Sequence, residues 1–260
     1  MLTLEQKYHL YENSVQCHSA DIDFINEQFE KIHGKKPLVL REDFGGTGLL
    51  ACSWAAQSPE HNAYGIDLDP EPMKYGIANH YSKLSDDQKG RMHYIEGNVL
   101  HDQEFKSDVT VAFNFSYFIF KKRHELIEYF KKVKTGLNTD GVFFLDIFGG
   151  TETGQELVEE TEHDNHSYFW DCDKFNPITN ECQYYIHFKV GNTKFEQAFS
   201  YNWRMWSIAE IREILMDAGF SRVVTFWEGE DEDGDGDGNF YMSNKEENCE
   251  SWVTYIAAIP

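Results

Sequence analysis

The sequence predicts an α/β fold: a doubly wound, mostly parallel seven-stranded sheet with helices on both faces, a C-terminal antiparallel hairpin and an inserted small antiparallel β region. Three observations carry this. Apolar strand-like runs alternate with helical patterns over residues 37–150; a glycine-rich turn follows the first run; and two late apolar runs, 223–227 and 252–259, supply the hairpin.

Ile22, Ile25, Phe29 and Ile32 recur at helical spacing, and Gly34 and Pro37 stop the pattern, so residues 1–36 form an N-terminal helical segment. Pro37-Leu38-Val39-Leu40 is a strand that runs into a turn, and residues 49–57 read as a helix packed on the sheet. The unit repeats: 63–68 is a second strand, Asp69-Pro70 starts a helix, and that helix is expected to reach residue 84. Further strands are expected at 92–95, 109–113 and 142–148. Before the last of these, Leu126, Ile127, Phe130, Val133 and Leu137 form one apolar helical face, closed by a turn at Asp140-Gly141. Residues 37–150 are therefore the core. Residues 151–206 read as a β cap, with the aromatic run Tyr184-Tyr185-Ile186-His187-Phe188 turned at Gly191-Asn192. Ser207 caps a helix of Ile208, Ile211, Ile214 and Leu215, and residues 207–260 complete the core sheet.

A chain of 260 residues is expected to be one main domain with additions. Its formal net charge of -22 opposes binding to nucleic acid, which needs cations against its phosphates, and to anionic lipid. No apolar run approaches the roughly 20 residues of a membrane span, and residues 1–10 lack the basic head and apolar stretch of a secretory signal. A soluble, cytoplasmic protein is expected. Cys17, Cys52, Cys172, Cys182 and Cys249 are widely spaced with no C-x-x-C pair, which fits reduced thiols. His80, His124 and His187 show no metal spacing.

The turn Glu42-Asp43-Phe44-Gly45-Gly46-Thr47-Gly48 lies where an open parallel sheet binds ligands. Gly46 and Gly48 let backbone approach a ligand, and the next helix offers free N–H groups. Gly46-Thr47-Gly48-Leu49-Leu50-Ala51 also satisfies the dinucleotide pattern, so the turn alone leaves the ligand open. Asp67 ends the second strand about 20 residues beyond Gly48, the offset at which a carboxylate accepts from ribose hydroxyls.

With Glu42 four positions before Gly46, and Asp67 beyond, the sequence resembles the class I S-adenosylmethionine-dependent methyltransferases of the Rossmann-like class. It resembles in particular a bacterial subfamily whose first motif usually reads Leu-Arg-Glu-Asp-Phe-Cys-Gly-Thr. The likeness continues through residues 66–72, Asn114-Phe115-Ser116-Tyr117, residues 198–206 and Phe226-Trp227-Glu228-Gly229. It implies S-adenosylmethionine as cofactor, held by Glu42, Phe44, Gly46, Thr47, Gly48, Asp67, Leu68, Asn98, Val99, Asn114 and Phe115. It further implies Tyr8, Tyr11 and Gln16 in a lid, Tyr117 as the catalytic candidate, and Trp170, Tyr201, Arg204 and Trp206 around the acceptor. The expected partner is a small-molecule or protein methyl acceptor, with a homodimer left open.

Two positions depart from the pattern: Phe44 replaces the usual first glycine, and Gly45 stands where the subfamily has cysteine. Arg41, at a commonly apolar position, is expected to pair with a nearby carboxylate in preference to reaching the cofactor's carboxylate. Glu42, Asp43 and Asp67 suit a sulfonium and an ammonium better than a pyrophosphate. A nicotinamide-dependent oxidoreductase and a non-catalytic nucleotide-binding scaffold remain the alternatives. In the acidic stretch 228–239, Asp231, Asp233, Asp235 and Gly236 fit the first half of a calcium loop. The closing glutamate fails, since Met242 or Asn244 stands there, so a solvated hairpin tip near the cofactor rim is expected.

Overall fold

The computed structural model describes residues 2–231 and 236–260. Helix α1 (Leu4–Val15) opens on a capping box between Thr3 and Gln6, and α2 (His18–His33) closes on Gly34 at φ 69°. There follow β1 (Val39–Asp43), α3 (Leu49–Gln57), β2 (Asn62–Asp67), α4 (Pro70–Asn79), α5 (Asp86–Lys89), β3 (Met92–Glu96), β4 (Ser107–Ala112), α6 (Arg123–Gly136) and β5 (Leu137–Gly149). Strands β6 (Val158–His163), β7 (His166–Asn176), β8 (Glu181–Val190) and β9 (Thr193–Arg204) precede α7 (Ile208–Asp217). The chain ends with β10 (Arg222–Glu230), β11 (Gly236–Ser243) and β12 (Trp252–Ile259).

The main sheet runs β11-β10-β12-β5-β4-β1-β2-β3, and β1 pairs in parallel with both β2 and β4. The chain order reverses between β1 and β4, so their carboxyl ends flank the crevice where such sheets bind ligands. Strand β5 shows how both faces are filled. Phe143, Leu145 and Ile147 enter one core with α6 and α7, and Val142 and Phe144 enter the other with α2 and α3, as the two-residue period dictates. The second sheet, β6-β7-β8-β9, is an antiparallel meander whose Ile186 and Phe188 pack against Leu10 of α1.

Three expectations need correction. The sheet has eight strands, because β11 pairs along the outer edge of β10; Phe240 anchors it on Phe24 and Tyr255, a local apolar signal hidden in a Gly/Asp-rich stretch. Asp140-Gly141 lies inside β5, where a register shift between Ser107 and Val109 of the neighbouring strand accommodates it. Helix α4 ends at Asn79 and is followed by a 3₁₀ turn, Tyr81–Lys83. The expected pairing of the last two apolar runs is present as β10 against β12.

Strand β10 runs with β5, so its end at Glu230 lies at the same sheet edge as the glycine turn. It is four strands from β1, which places it about 19 Å along the sheet. Asp233 and Asp235 of the calcium reading lie outside the described residues. Among the described residues no cluster of metal-ligating side chains is present, and no helix is long and apolar enough to cross a membrane.

Candidate active site

The glycine turn is built from β1 outward. Gly45 N–H continues the pairing to Ile66 O at 2.9 Å, and Gly48 N–H closes the turn on Gly45 O at 2.7 Å. Phe44 takes φ 57°, Gly46 54° and Gly48 68°, so Phe44 adopts the left-handed backbone that a glycine would supply. A Cβ at Gly48 would stand 2.6 Å from the Tyr94 ring, so glycine is required there for packing as well.

Asp67 spans the turn: Oδ2 accepts Gly46 N–H at 2.8 Å, and Oδ1 accepts Asp69 N–H at 2.8 Å. Glu42 turns back beneath the loop, and its Oε2 accepts Ala51 N–H at 3.1 Å in the first turn of α3. Burial pushes the Glu42 carboxyl up to about 8. Arg41, only 2% exposed, forms the expected ion pair: Nε and Nη2 reach Asp43 at 2.7 and 3.1 Å, and Nη2 also donates to Val99 O. Tyr129 Oη donates to the same Asp43 carboxylate at 2.9 Å. The pair is thus hydrogen-bonded from three sides behind the turn, by Asp43, Val99 O and Tyr129, which is what makes a buried ion pair tolerable.

Across the switch point, Asn114 and Phe115 both adopt positive φ, 55° and 57°. Asp146 of β5 holds them, accepting their backbone N–H groups at 2.7 and 2.9 Å. Burial pushes Asp146 up to about 8, while the two N–H donors pull against it.

Helix α1 closes the crevice from above. Glu12 Oε1 accepts from Thr47 Oγ1 at 2.5 Å and meets His80 Nε2 at 2.6 Å, and its Oε2 accepts from Tyr75 at 3.3 Å. One side chain thus ties α1 to the turn and to α4. Tyr8 and Lys7 add contacts to Glu71 at 3.0 and 2.8 Å.

Two cavities result. The first, about 490 Å³, lies over the turn and is lined by Glu42, Asp43, Phe44, Gly46, Thr47 and Asp67 from below, with Tyr8 and Tyr11 of α1 and Gln16 at its end, and Phe199 and Tyr201 from β9 at its side. Gln16, which also lines a groove between α1 and α4, has its Oε1 buried without a hydrogen-bond partner among the described residues. The second, about 270 Å³, lies between Phe115 and the β7-β8-β9 face, where Trp170, Tyr184, Tyr201 and Trp203 form one aromatic layer. Trp170 stacks on Tyr184 at 4.6 Å, and Tyr201 meets Trp203 at 4.4 Å. Tyr11, Asn114, Tyr201 and Trp203 line both cavities, so the two meet there.

Neither a family model nor a curated protein matches the sequence. Solved structures do. An S-adenosylmethionine-dependent methyltransferase from Clostridium acetobutylicum ATCC 824 aligns with TM-score 0.70 at 18% identity, over 97% of each chain. Streptomyces venezuelae DesVI aligns with TM-score 0.70 at 15% identity, over 100% of this chain and 99% of its own. CalS10 from Micromonospora echinaspora, an amino pentose methyltransferase solved with S-adenosylmethionine bound, gives 0.68 at 12% over the same shares. The fold is that of S-adenosylmethionine-dependent methyltransferases.

Within this fold, the crevice brings together Glu42, Phe44, Gly46, Thr47, Asp67 and Asn114, with Phe115 on the second cavity and Gly48 just beneath the turn. Leu68 lies beside Asp67 at 69% exposure. Asn98 and Val99 follow β3 but line neither cavity: Asn98 Oδ1 accepts Leu100 N–H, and the Val99 carbonyl holds Arg41. Trp170 and Tyr201 are in the aromatic layer.

Three expected residues are elsewhere. Tyr117 is fully buried, donates to the Asp146 carbonyl at 2.8 Å and faces neither cavity, because the left-handed pair before it swings the chain into a 3₁₀ turn. Arg204 pairs with Glu210 and lies over Trp206, which donates to Phe120 O; both are turned away from the aromatic cavity. Sequence reasoning missed Asp146, Glu12, Tyr184 and Trp203. A carboxylate alone within Val-Phe-Phe-Leu-Asp-Ile-Phe was the available signal for Asp146.

Proposed function

We propose that this chain transfers a methyl group from S-adenosylmethionine to a small molecule held in the aromatic cavity, and releases S-adenosylhomocysteine. The observation that carries the reading is the junction of an acidic crevice with an aromatic cavity at Asn114, Tyr11 and Tyr201. Methyl transfer needs donor and acceptor in line across such a junction, and positioning can supply much of the rate without a covalent intermediate.

The crevice residues fit the cofactor. The carboxyl groups of Glu42 and Asp67 match its sulfonium and ammonium, Asp43 being neutralised by Arg41, and the unpartnered Gln16 Oε1 is an acceptor for an N–H donor. Asp67 would take the ribose hydroxyls on lone pairs that Gly46 and Asp69 leave free, with the exposed Leu68 beside the adenine. Gly46, Thr47 and Gly48 would accommodate the amino-acid end. When bound, the cofactor supplies an electrophilic methyl group. Asn114 and Phe115 set the wall between the sites, and Tyr8, Tyr11 and α1 exclude water. Tyr11 and Tyr201 stand where Tyr117 was expected to act.

A dinucleotide is disfavoured by Glu42, whose carboxylate already occupies the Ala51 N–H at the α3 terminus where a pyrophosphate would sit. The small cavity also favours a small molecule over a protein side chain with its flanking backbone. Thermal-shift measurements with S-adenosylmethionine, S-adenosylhomocysteine and NAD test the reading. Stabilisation by the two sulfur ligands, lost in Asp67→Ala, is expected; stabilisation by NAD alone overturns it.

A further inference from the structure

Resting on the methyl-transfer reading, we propose that the aromatic cavity takes its acceptor as a small organic amine, recognised in its cationic form. The walls are the ring layer of Trp170, Tyr184, Tyr201 and Trp203, with Glu152 and Glu159 at the margin. No Lys, Arg or His lines it among the described residues. A cavity with aromatic faces and only negative formal charges attracts an ammonium and repels a carboxylate or phosphate.

The chemistry agrees with the placement of charge. A bound ammonium gives one proton to water at the rim. The nitrogen lone pair then forms the N–C bond to the methyl carbon as the C–S bond breaks, and that bonding pair stays on sulfur, leaving a neutral thioether. Positive charge thereby leaves the acidic crevice and arrives on nitrogen in the aromatic cavity. Rings and carboxylates placed where charge develops stabilise the transition state relative to the neutral amine from which it forms. Transfer to a hydroxyl would end in a neutral ether once its proton is lost, and would leave this lining without a charge to stabilise.

The test uses the full chain with S-adenosylhomocysteine present. Benzyltrimethylammonium and benzoate are titrated separately and followed by tryptophan fluorescence and calorimetry. The ammonium is expected to bind and benzoate not to. Trp170→Leu and the combined Glu152→Gln, Glu159→Gln variant should each weaken ammonium binding about five- to tenfold. Because Glu159 is exposed, the carboxylate variant remains informative if the tryptophan variant fails to fold. Release of S-adenosylhomocysteine is then compared over amines paired with their alcohol and carboxylate counterparts, and amines should be the substrates. Benzoate binding as tightly as the ammonium, or unchanged ammonium affinity in the carboxylate variant, overturns the proposal. A thermal shift with S-adenosylhomocysteine but no ammonium binding overturns the amine assignment and leaves methyl transfer standing. Ammonium binding with no shift from either sulfur ligand does the reverse.

Discussion

Asp146 Oδ1 accepts the backbone N–H of Phe115 at 2.9 Å, and the other carboxylate oxygen takes Asn114 N–H at 2.7 Å. Two consecutive non-glycine residues at positive φ are costly, and this carboxylate is what holds them. Since Asn114 lines both cavities, the wall between them is positioned from β5, the next strand of the sheet. In Asp146→Asn, an amide NH2 would oppose one of the two N–H donors. With the wild-type group ionised, above its value of about 8, a loss of about 1–3 kcal/mol in urea unfolding is expected, with weaker S-adenosylhomocysteine binding in the folded fraction. Wild-type values for both would show that the turn holds itself.

The same carboxylate makes stability depend on pH. Burial raises Asp146 and Glu42 to about 8 and Asp21 to about 6. In the unfolded chain these groups ionise near 4, so between pH 4 and 8 the native state holds more protons, and stability falls as pH rises through that window. The melting temperature should therefore decline from pH 5 to 8, and Glu42→Gln should flatten part of the decline. A cationic cofactor favours the ionised carboxylates, so stabilisation by S-adenosylmethionine should grow relative to that by S-adenosylhomocysteine over the same range. Parallel profiles for wild type and Glu42→Gln would refute the assignment.

Gly76 tests how closely α4 supports the turn. A Cβ there would fall 1.7 Å from the Thr47 carbonyl oxygen, which also accepts from Tyr94 Oη at 2.7 Å. That is backbone against backbone, so either α4 or the turn must move. Gly76→Ala should cost about 1–3 kcal/mol and reduce cofactor affinity at least tenfold. Gly45 is the control: its Cβ would meet nothing nearer than 3.4 Å, so Gly45→Ala should bind as wild type does. Equal affinities for the two variants would contradict this geometry.

The sheet was legible because its signals are local. Period-two and period-3.6 runs mark strands and helices, and the glycines together with Asp67 mark the crevice. What was not legible depends on orientation. Within the quoted run 198–206 the aromatics look interchangeable, yet strand alternation sends Tyr201 and Trp203 to the cavity side and Arg204 to the opposite face, and Trp206 falls beyond the strand end. Tyr117 sits one residue past a pair of left-handed residues and one turn residue, which no propensity foretells at Asn114-Phe115. Asp146 was visible as an anomaly, but its partners are amides from a different strand end, fixed only by tertiary structure.

Phe44, the departure in the first motif, gives an inverted order of side-chain preference. Its φ of 57° costs a non-glycine residue roughly 1–2 kcal/mol, while its ring gains contacts with Tyr129 and Phe120 at centroid distances of 5.6 and 6.1 Å. Phe44→Ala loses the ring and keeps the strain; Phe44→Gly loses the ring but relieves the strain. In an ordinary strand or helix interior, glycine is the less stable of the two by roughly 0.5–1 kcal/mol. Here Phe44→Gly should be the more stable by about 1 kcal/mol in chemical denaturation, and its loop should retain cofactor binding with a weakened pocket wall. If the alanine variant proves the more stable, the left-handed turn is not the conformation that the folded chain adopts at Phe44.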